Sequence, residues 1–271
     1  MQVIEEFIAP KTGHEPDCED GIIVTDTFAA VIDGATDKTG RRFGGLPGGR
    51  LAMQVCIEGI RALELGVDGR GIADHLTHLL ARRLPRDISR EDRPSAMLAI
   101  YSPAHRTVWQ IGDVRCWYSG LEEKAVNRKS AVDTIATEVR VAVLRAELAS
   151  GASPADLARD DPGRDAILGV LRHQSIFRNN AGAAQWAYSS IDGAPVPPEL
   201  IRAYPVPPDV TELVLASDGY PRVQPTLEAS EMTLKELLAE DPLCIGRLRG
   251  TKGVRPGNQS FDDRAYLRLS V

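Results

Sequence analysis

The chain has 271 residues, of which 43% are hydrophobic and 26% are charged. These proportions are typical of a soluble globular protein with a full core, and no apolar run reaches the roughly 18–20 residues that a membrane-spanning helix needs. The formal net charge is −6, and a uniformly acidic surface repels both nucleic acid and anionic lipid. We therefore expect neither a nucleic acid nor a membrane as a partner.

The four cysteines indicate a reducing compartment. Cys18, Cys56, Cys116 and Cys244 are widely separated, without a CxxC pair or a zinc-like spacing. The first ten residues carry acidic side chains where a secretory signal would carry basic ones. We therefore expect four free thiols and a cytoplasmic protein.

The spacing of apolar residues predicts the elements in chain order. Strands are predicted at 21–25 and 27–33, helices at 51–65 and 72–84, and a strand hairpin at 96–101 and 107–111. Helices are predicted at 131–149, after Ser153-Pro154, at 165–172 and at 233–239, and later strands at 185–189, 212–216 and 265–271. The many prolines of 195–208 argue against a regular element there.

This order of elements lacks the regular strand–helix–strand alternation of a doubly wound parallel sheet. It favours antiparallel sheets with helices packed on their outer faces. No linker is visible in the composition, so we expect a single domain spanning residues 1–271.

Carboxylates recur where the predicted strands leave the core. Glu19-Asp20 precedes the first strand, and the others follow or precede later strands: Asp33-Gly34, Gly112-Asp113, Asp218-Gly219 and Asp262-Asp263. Each Asp-Gly alone is a common turn signal. Together, converging carboxylates would repel one another unless a hard cation took their oxygens as ligands. Manganese or magnesium suits such a site, whereas zinc would want His or Cys, so the pattern predicts a dinuclear metal site.

The same residues resemble a known family. Glu19-Asp20, VIDG at 31–34, IGDVR at 111–115, LASDG at 215–219 and FDD at 261–263 occur in the order found in the metal-dependent protein phosphatases of type 2C, also called PPM-type. Gly48-Gly49 before the first long helix is similar to the family pattern as well. The resemblance implies an α+β fold, a four-layer α-β-β-α sandwich with two central antiparallel sheets and a metal centre at one end.

The resemblance also implies roles for the acidic residues. The metal ligands would be Glu19, Asp20, Asp33, the Gly34 carbonyl, Asp113, Asp218 and Asp262, holding two or three Mn²⁺ or Mg²⁺ ions. Of these, Asp33, Asp218 and Asp262 would support catalysis by activating a water that bridges two metals. Asp263 would lie just outside the ligand shell.

The chain departs from the family pattern around the substrate. Glu15 stands where the family usually has an arginine that binds the substrate phosphate. Lys11, His14 or a basic residue of the glycine-rich loop would have to replace it, and we expect His14 or Arg50 to do so. Residues 178–193 are a further candidate for lining the cleft.

Three functions are compatible with these observations. The first is a phosphoserine/phosphothreonine protein phosphatase with a metal-bridged water, and its partner would be a phosphorylated protein. The second is a phosphatase of the same fold that hydrolyses a small phosphorylated metabolite, for which an altered phosphate site would be natural. The third is a non-catalytic regulatory or binding protein that keeps the fold, which the retention of Asp33, Asp218 and Asp262 disfavours.

Overall fold

A computed structural model describes residues 1–121 and 130–271. The strands of the first half are β1 (Gln2–Ala9), β2 (Asp20–Val24), β3 (Ala29–Gly34), β4 (Arg42–Phe43), β5 (Leu46–Pro47), β6 (Ala96–Ser102), β7 (Thr107–Ile111) and β8 (Arg115–Trp117). Later strands are β9 (Arg202–Pro205), β10 (Glu212–Ala216) and β11 (Arg264–Ser270). The helices are α1 (Gly48–Arg61), α2 (Gly69–Ala81), α3 (Ala131–Ala149), α4 (Pro154–Arg159), α5 (Pro162–His173) and α6 (Leu227–Glu240).

Two antiparallel sheets carry the fold, as predicted. One has the strand order β1-β11-β10-β8, and the other has the order β2-β3-β6-β7-β9. Every strand pair in both sheets is antiparallel. Strands β4 and β5 form a separate small hairpin that leads into α1.

Buried side chains divide the core into layers. Val31 and Tyr101 of one sheet pack with Leu215 and Leu267 of the other, so the two sheets face each other. The outer face of the β2-β3-β6-β7-β9 sheet packs on α1 and α2. The outer face of the other sheet packs on α6, where Leu234 contacts the cluster of aromatic and aliphatic side chains. This packing confirms the predicted α+β fold with two antiparallel sheets and agrees with the expected order of layers.

Helices α3, α4 and α5 lie between β8 and β9 in the chain and pack outside these layers. Ser130 and Asp161 accept hydrogen bonds from backbone N–H groups at the first turns of α3 and α5, which satisfies donors that a helix start leaves unpaired. Ala136 of α3 packs on Ile167 and Leu171 of α5. This helical segment closes one side of the site described below.

Of the strands that were not predicted, β1 and β9 lie at sheet edges. β1 has exposed Val3, Ile4 and Ile8, and its burial does not follow a clean two-residue alternation. β9 lies in the proline-rich stretch, where the expectation of no regular element was wrong. An edge strand tolerates proline because one side of it needs no N–H donor, and Pro205 pairs with Thr107 at the end of β9.

Other element boundaries also differ from the predictions. The strand expected at 185–189 is instead a short 3-10 helix, Ala181–Trp186, followed by an isolated bridge between Arg178 and Tyr188. β8 was not predicted because three residues are too few to show a period. Helix α6 begins at Leu227, six residues before the predicted start, after the capping residue Thr226.

The four cysteines are free and buried, as predicted. Across residues 1–121 and 130–271, no helix combines the length and apolar character required to cross a membrane.

Candidate functional site

The first two acidic positions are brought together by a strand pair. In the antiparallel register of β2 and β3, Asp20 lies directly opposite Asp33. Like charges at directly opposed positions destabilise a sheet, so this pair needs compensation. The Glu19-Asp20 and Asp33-Gly34 motifs therefore lie at the same edge of the sheet, where β2 begins and β3 ends.

The facing sheet supplies the next acidic positions. Asp218 follows the end of β10, and Asp262 and Asp263 precede β11. Because β10 and β11 are antiparallel neighbours, the end of one and the start of the other lie at the same edge. The Ser217 N–H donates to the Ala265 carbonyl at 3.0 Å, and the Ala265 N–H donates to Ser217 Oγ at 2.8 Å, which fixes this corner.

One cavity of about 170 Å³ lies at this edge, and Glu19, Asp20 and Asp263 lie outside its lining. Five of the predicted site residues line it, namely Asp33, Gly34, Asp113, Asp218 and Asp262. Asp113 arrives there from the turn after β7, where Gly112 adopts a positive φ of 89°. A Cβ on Gly112 would lie 2.3 Å from Met97 Cγ, so glycine suits that turn on both grounds.

Glu19 and Asp263 are buried beside the site and contact each other. Asp263 Oδ2 accepts the Glu19 N–H at 3.0 Å, and its other oxygen accepts the Lys11 N–H at 2.7 Å. Glu19 Oε2 accepts the hydroxyl of Thr36 at 2.8 Å. Asp263 therefore positions Glu19 through the backbone.

Two glycines allow the start of α1 to approach these strand ends. A Cβ on Gly34 would lie 2.4 Å from the Gly49 carbonyl oxygen, and a Cβ on Gly49 would lie 2.6 Å from Glu19 Oε1. The Gly34 N–H donates to the Glu19 carbonyl at 3.0 Å. No side chain larger than hydrogen fits at either position without a shift of backbone.

Burial and mutual repulsion disfavour the charged forms of the carboxylates. Burial, followed by the charges of neighbouring carboxylates, raises the pKa of Asp33 well above its ordinary value, and burial does the same for Asp20. Burial, with Asp218 and Asp133 adding to it, raises the pKa of Asp113 to about 7. Burial opposes ionisation of Asp262 too, but Lys252 and Lys11 outweigh it and lower the pKa of Asp262.

The chemistry of these side chains fits a hard divalent cation. Within the described chain, the buried atoms Glu19 Oε1 and Asp20 Oδ2 have no hydrogen-bond partner, and such oxygens are ligands of Mg²⁺ and Mn²⁺. Among the residues that the structure describes, no three His, Cys, Asp or Glu side chains are gathered closely enough to hold an ion as they stand. Lys252 contacts Asp262, and Lys11 lies 3.7 Å from Asp262 Oδ1. The carboxylates thus supply the oxygen ligands that such a cation needs, and Lys11 and Lys252 neutralise part of the carboxylate charge.

Basic side chains line the same cavity, and the sequence predictions did not include three of them. Lys38 follows β3, Arg164 lies in the first turn of α5, Arg178 lies beyond α5, and Lys252 precedes β11. Arg178 was covered only by the expectation that residues 178–193 line the cleft, and Arg178 and Tyr188 do line it. Lys38, Arg164 and Lys252 carry no local signal, because three separate segments of the chain bring them to the cavity only in the folded protein.

His14 and Arg50, expected to bind substrate phosphate, do not line this cavity. The side chain of His14 is 68% exposed, and its Nδ1 lies 3.4 Å from Asp17 Oδ2. Arg50 Nη1 donates to the carbonyls of Glu15 and Cys18 at 3.1 and 2.7 Å. These two carbonyls hold the Arg50 guanidinium, and Arg50 thereby joins the short Glu15–Asp17 helix to α1.

Comparison with known proteins gives a structural result only. No family model matches the chain, and no curated protein matches it. A bacterial serine phosphatase aligns over 100% of this chain and 98% of its own, with 10% identity and a TM-score of 0.52. The serine/threonine phosphatase Stp1 of Staphylococcus aureus covers 100% and 96% at 13% identity and a TM-score of 0.49.

A third solved structure is the catalytic domain of the Mycobacterium tuberculosis phosphatase PstP in complex with two manganese ions. It covers 98% of this chain and 97% of its own at 14% identity and a TM-score of 0.49. The first similarity shows a shared fold over nearly the whole of both chains. It confirms the fold implied by the resemblance to the type 2C phosphatases: this chain has the fold of a bacterial serine phosphatase.

Proposed function

We propose that this protein is a metal-dependent phosphomonoester hydrolase that removes phosphate from phosphoserine or phosphothreonine in proteins. The observation that carries the proposal is the cavity in which half-buried strand-end carboxylates lie with four basic side chains. The carboxylates of such a site suit divalent cations, and the basic side chains suit a phosphate dianion. The shared fold with a bacterial serine phosphatase supports the same chemistry, and its coverage supports residues 1–271 as a single domain.

The metal ligands in this proposal are the carboxylates at the strand ends. Asp33, Asp218 and Asp262 would hold two Mn²⁺ or Mg²⁺ ions, with the Gly34 carbonyl, Glu19 and Asp20 completing the set and Asp113 serving a third ion. When bound, the ions would supply an activated water and neutralise charge on the phosphoryl group. Asp263 would hold Glu19 in place through its contact with the Glu19 N–H.

The chain's own basic residues would bind and orient the phosphate. Arg178 is anchored for this by Asp192, 3.4 Å from its Nη1, and by the hydroxyl of Tyr188, 3.3 Å from its Nε. Arg164 is held by the Thr251 carbonyl at 2.9 Å. These contacts fix each guanidinium at the cavity, which lowers the entropic cost of binding an anion. We propose that they replace His14 and Arg50 in this role.

The overall charge of the cavity supports an anionic substrate. Five carboxylates, including Asp133, and four basic side chains line it, which leaves one net negative charge. Two divalent cations would change this to three net positive charges. A phosphate monoester dianion would then be attracted more strongly to the loaded site than to the empty one.

A second candidate is a phosphatase for a small phosphorylated metabolite. One observation in its favour is that Glu15 stands where the type 2C pattern usually has an arginine. The other is that the segment from α3 to α5 covers the cavity with the side chains of Asp133, Thr137 and Leu171. A flat protein surface would not reach beneath such a cover, whereas an extended peptide or a metabolite would.

A comparison of substrates tests the proposal. Phosphate release from phosphoserine and phosphothreonine peptides and from a panel of phosphorylated sugars and amino acids is measured with and without Mn²⁺. We expect Mn²⁺-dependent turnover, with kcat/KM higher for peptides. Faster turnover of a metabolite would favour the second candidate, and Mn²⁺ binding without turnover of any substrate would support a non-catalytic role instead.

A further inference from the structure

A basic groove continues from the candidate active site across the surface. It has a volume of about 500 Å³ and shares four lining residues, Thr36, Lys38, Arg164 and Lys252, with the cavity that holds the carboxylates. The two spaces therefore adjoin along these four residues. A ligand whose phosphate occupied the first would have its neighbouring groups beside the second.

Positive charge dominates this basic groove. Six basic residues other than the buried Arg140 line it, namely Lys11, Lys38, Arg159, Arg164, Lys252 and Arg255. The acidic residues along the groove are Asp37, Asp161 and Asp165. The groove therefore carries a net positive charge although the whole chain carries −6.

Two of the three acidic residues already have partners. Asp161 Oδ2 lies 2.7 Å from Arg140 Nη2, and its other oxygen accepts the Arg164 N–H at 2.8 Å. Asp37 accepts hydrogen bonds from the backbone N–H and hydroxyl of Thr39 at 3.1 and 3.0 Å. Of the outer arginines of the groove, Arg159 is paired with Asp156 at 3.1 Å, whereas Arg255 forms no ion pair with a described residue.

The basic residues also affect one another. Burial, then the nearby charge of Arg140, lowers the pKa of Arg164, and Arg255 acts in the same direction. Burial lowers the pKa of Lys38 to about 8, and Arg178, Arg164 and Lys252 contribute to the shift. An anion placed among these groups would relieve their repulsion.

We propose that the basic groove binds acidic residues that flank the phosphorylated serine or threonine of the substrate. This inference rests on the proposed function and specifies its substrate class. Charge complementarity supports an acidic peptide segment as the occupant, and about 500 Å³ beyond the carboxylate cavity is more space than a single phosphate group needs. Arg255, exposed at the outer part of the groove, would contact the acidic flank and not the phosphate.

The test uses the Mn²⁺-loaded protein and three substrates. They are p-nitrophenyl phosphate, a phosphoserine peptide flanked by Asp and Glu, and the same peptide with Asn and Gln at those positions. We expect kcat/KM for the acidic peptide to exceed that for the neutral one by about tenfold at low ionic strength, and the ratio to fall as salt screens the contacts.

Variants assign the preference to the groove. Arg255→Glu should remove most of the preference, since a repulsive charge replaces an attractive one, and Arg255→Gln should reduce it by about threefold, as expected for one exposed charge pair. Arg247→Glu is the matched control, because Arg247 is an exposed arginine paired with Glu240 and does not line the groove.

The outcomes separate this inference from the proposed function. No hydrolysis of p-nitrophenyl phosphate by the wild type would count against the phosphatase itself. Hydrolysis of p-nitrophenyl phosphate with equal kcat/KM for the two peptides, or a preference unchanged by Arg255→Glu, would overturn the inference alone. A preference for free phosphorylated metabolites over both peptides would overturn it as well.

Discussion

Gly34 and Gly49 meet backbone to backbone beside the buried carboxylates, and this contact sets how closely α1 approaches the strand ends. A Cβ on Gly34 would lie 2.4 Å from the Gly49 carbonyl oxygen and 2.6 Å from that of Glu19. Neither oxygen belongs to a flexible side chain that could move aside. The position therefore tolerates glycine alone, for steric reasons and not for a positive φ.

Replacing Gly34 with alanine should destabilise the protein by about 1–3 kcal/mol, because overpacking forces the backbone apart. Thermal or denaturant unfolding measures the loss. Gly169→Ala in α5 is the control, since no described atom beyond the backbone of its own helix lies within 4 Å of its Cβ position, and it should stabilise by about 0.5–1 kcal/mol. Equal stability of the Gly34→Ala variant and the wild type would contradict the close approach.

At the residue scale, the acidic half of the site was predictable and the basic half was not. Asp33 lies at the end of the short apolar strand β3, and Asp218 lies two residues beyond the end of β10, so the pattern of an apolar strand running into Asp-Gly identifies them. Arg164 and Lys252 approach the cavity from a helix and a loop that are far apart in the sequence. Nothing local marks them, because only the tertiary fold brings these two distant segments to the carboxylates.

At the scale of elements, the segment from α3 to α5 depends on one buried arginine. Arg140 of α3 is fully buried, and its Nε donates to Asp161 at 2.9 Å. Its other nitrogens donate to the carbonyls of Leu243, Cys244 and Gly250. One side chain thus joins α3, the start of α5 and the 243–250 loop.

Arg140→Met should destabilise the protein by about 3–5 kcal/mol, because it leaves Asp161 and three buried carbonyls without their donor. The melting temperature should fall by about 10 °C in a chain of this size. Arg145→Met on the same helix is the control, since Arg145 is exposed, and its effect should stay within about 0.5 kcal/mol. A stable Arg140→Met variant would show that α3 and α5 pack without this network.

The layered sheets were predictable from alternating apolar segments, whereas the edge strands were not. The central strands β3 and β10 are almost entirely buried, so their sequences read as apolar runs. β1 has five exposed positions among its eight residues, and β9 has two exposed positions of four. Pairing with β11 and β7, and not their own composition, makes them strands.

At the scale of the whole molecule, the acidic excess behind the net charge of −6 can be traced to the candidate metal site. Burial there disfavours the charged form of the carboxylates. The seven acidic residues Glu19, Asp20, Asp33, Asp113, Asp218, Asp262 and Asp263 together exceed the whole imbalance. Four of them, Glu19, Asp20, Asp33 and Asp113, have raised pKa values because of burial and mutual repulsion. The metal-free protein therefore favours protonation of this site.

The stability of the metal-free protein should fall as the pH rises through about 7. Asp113 has a folded-state pKa of about 7 against 3.8 ordinarily, so between these values only the folded state holds the proton. The resulting stabilisation is full below 3.8 and is lost above about pH 7. In EDTA, the melting temperature should thus rise by several degrees from about pH 8 to about pH 6.

Two further measurements check this assignment. Asp113→Asn should flatten the pH dependence, since the amide does not titrate, and saturating Mn²⁺ should make the wild type more stable at the higher pH by competing with protons. A melting temperature that rises from about pH 6 to about pH 8 in EDTA would contradict the raised pKa of Asp113.

The most direct test of the account is the rate of Mn²⁺-dependent p-nitrophenyl phosphate hydrolysis by the wild type and by Asp33→Asn. The amide keeps the shape of Asp33 but removes the charge expected to bind the ions, so we predict a loss of at least about a hundredfold. Asp26→Asn, in the turn between β2 and β3, is the matched control and should keep the wild-type rate. An Asp33→Asn variant as active as the wild type, or a wild type without Mn²⁺-dependent hydrolysis, would contradict the proposal of a carboxylate-bound metal centre.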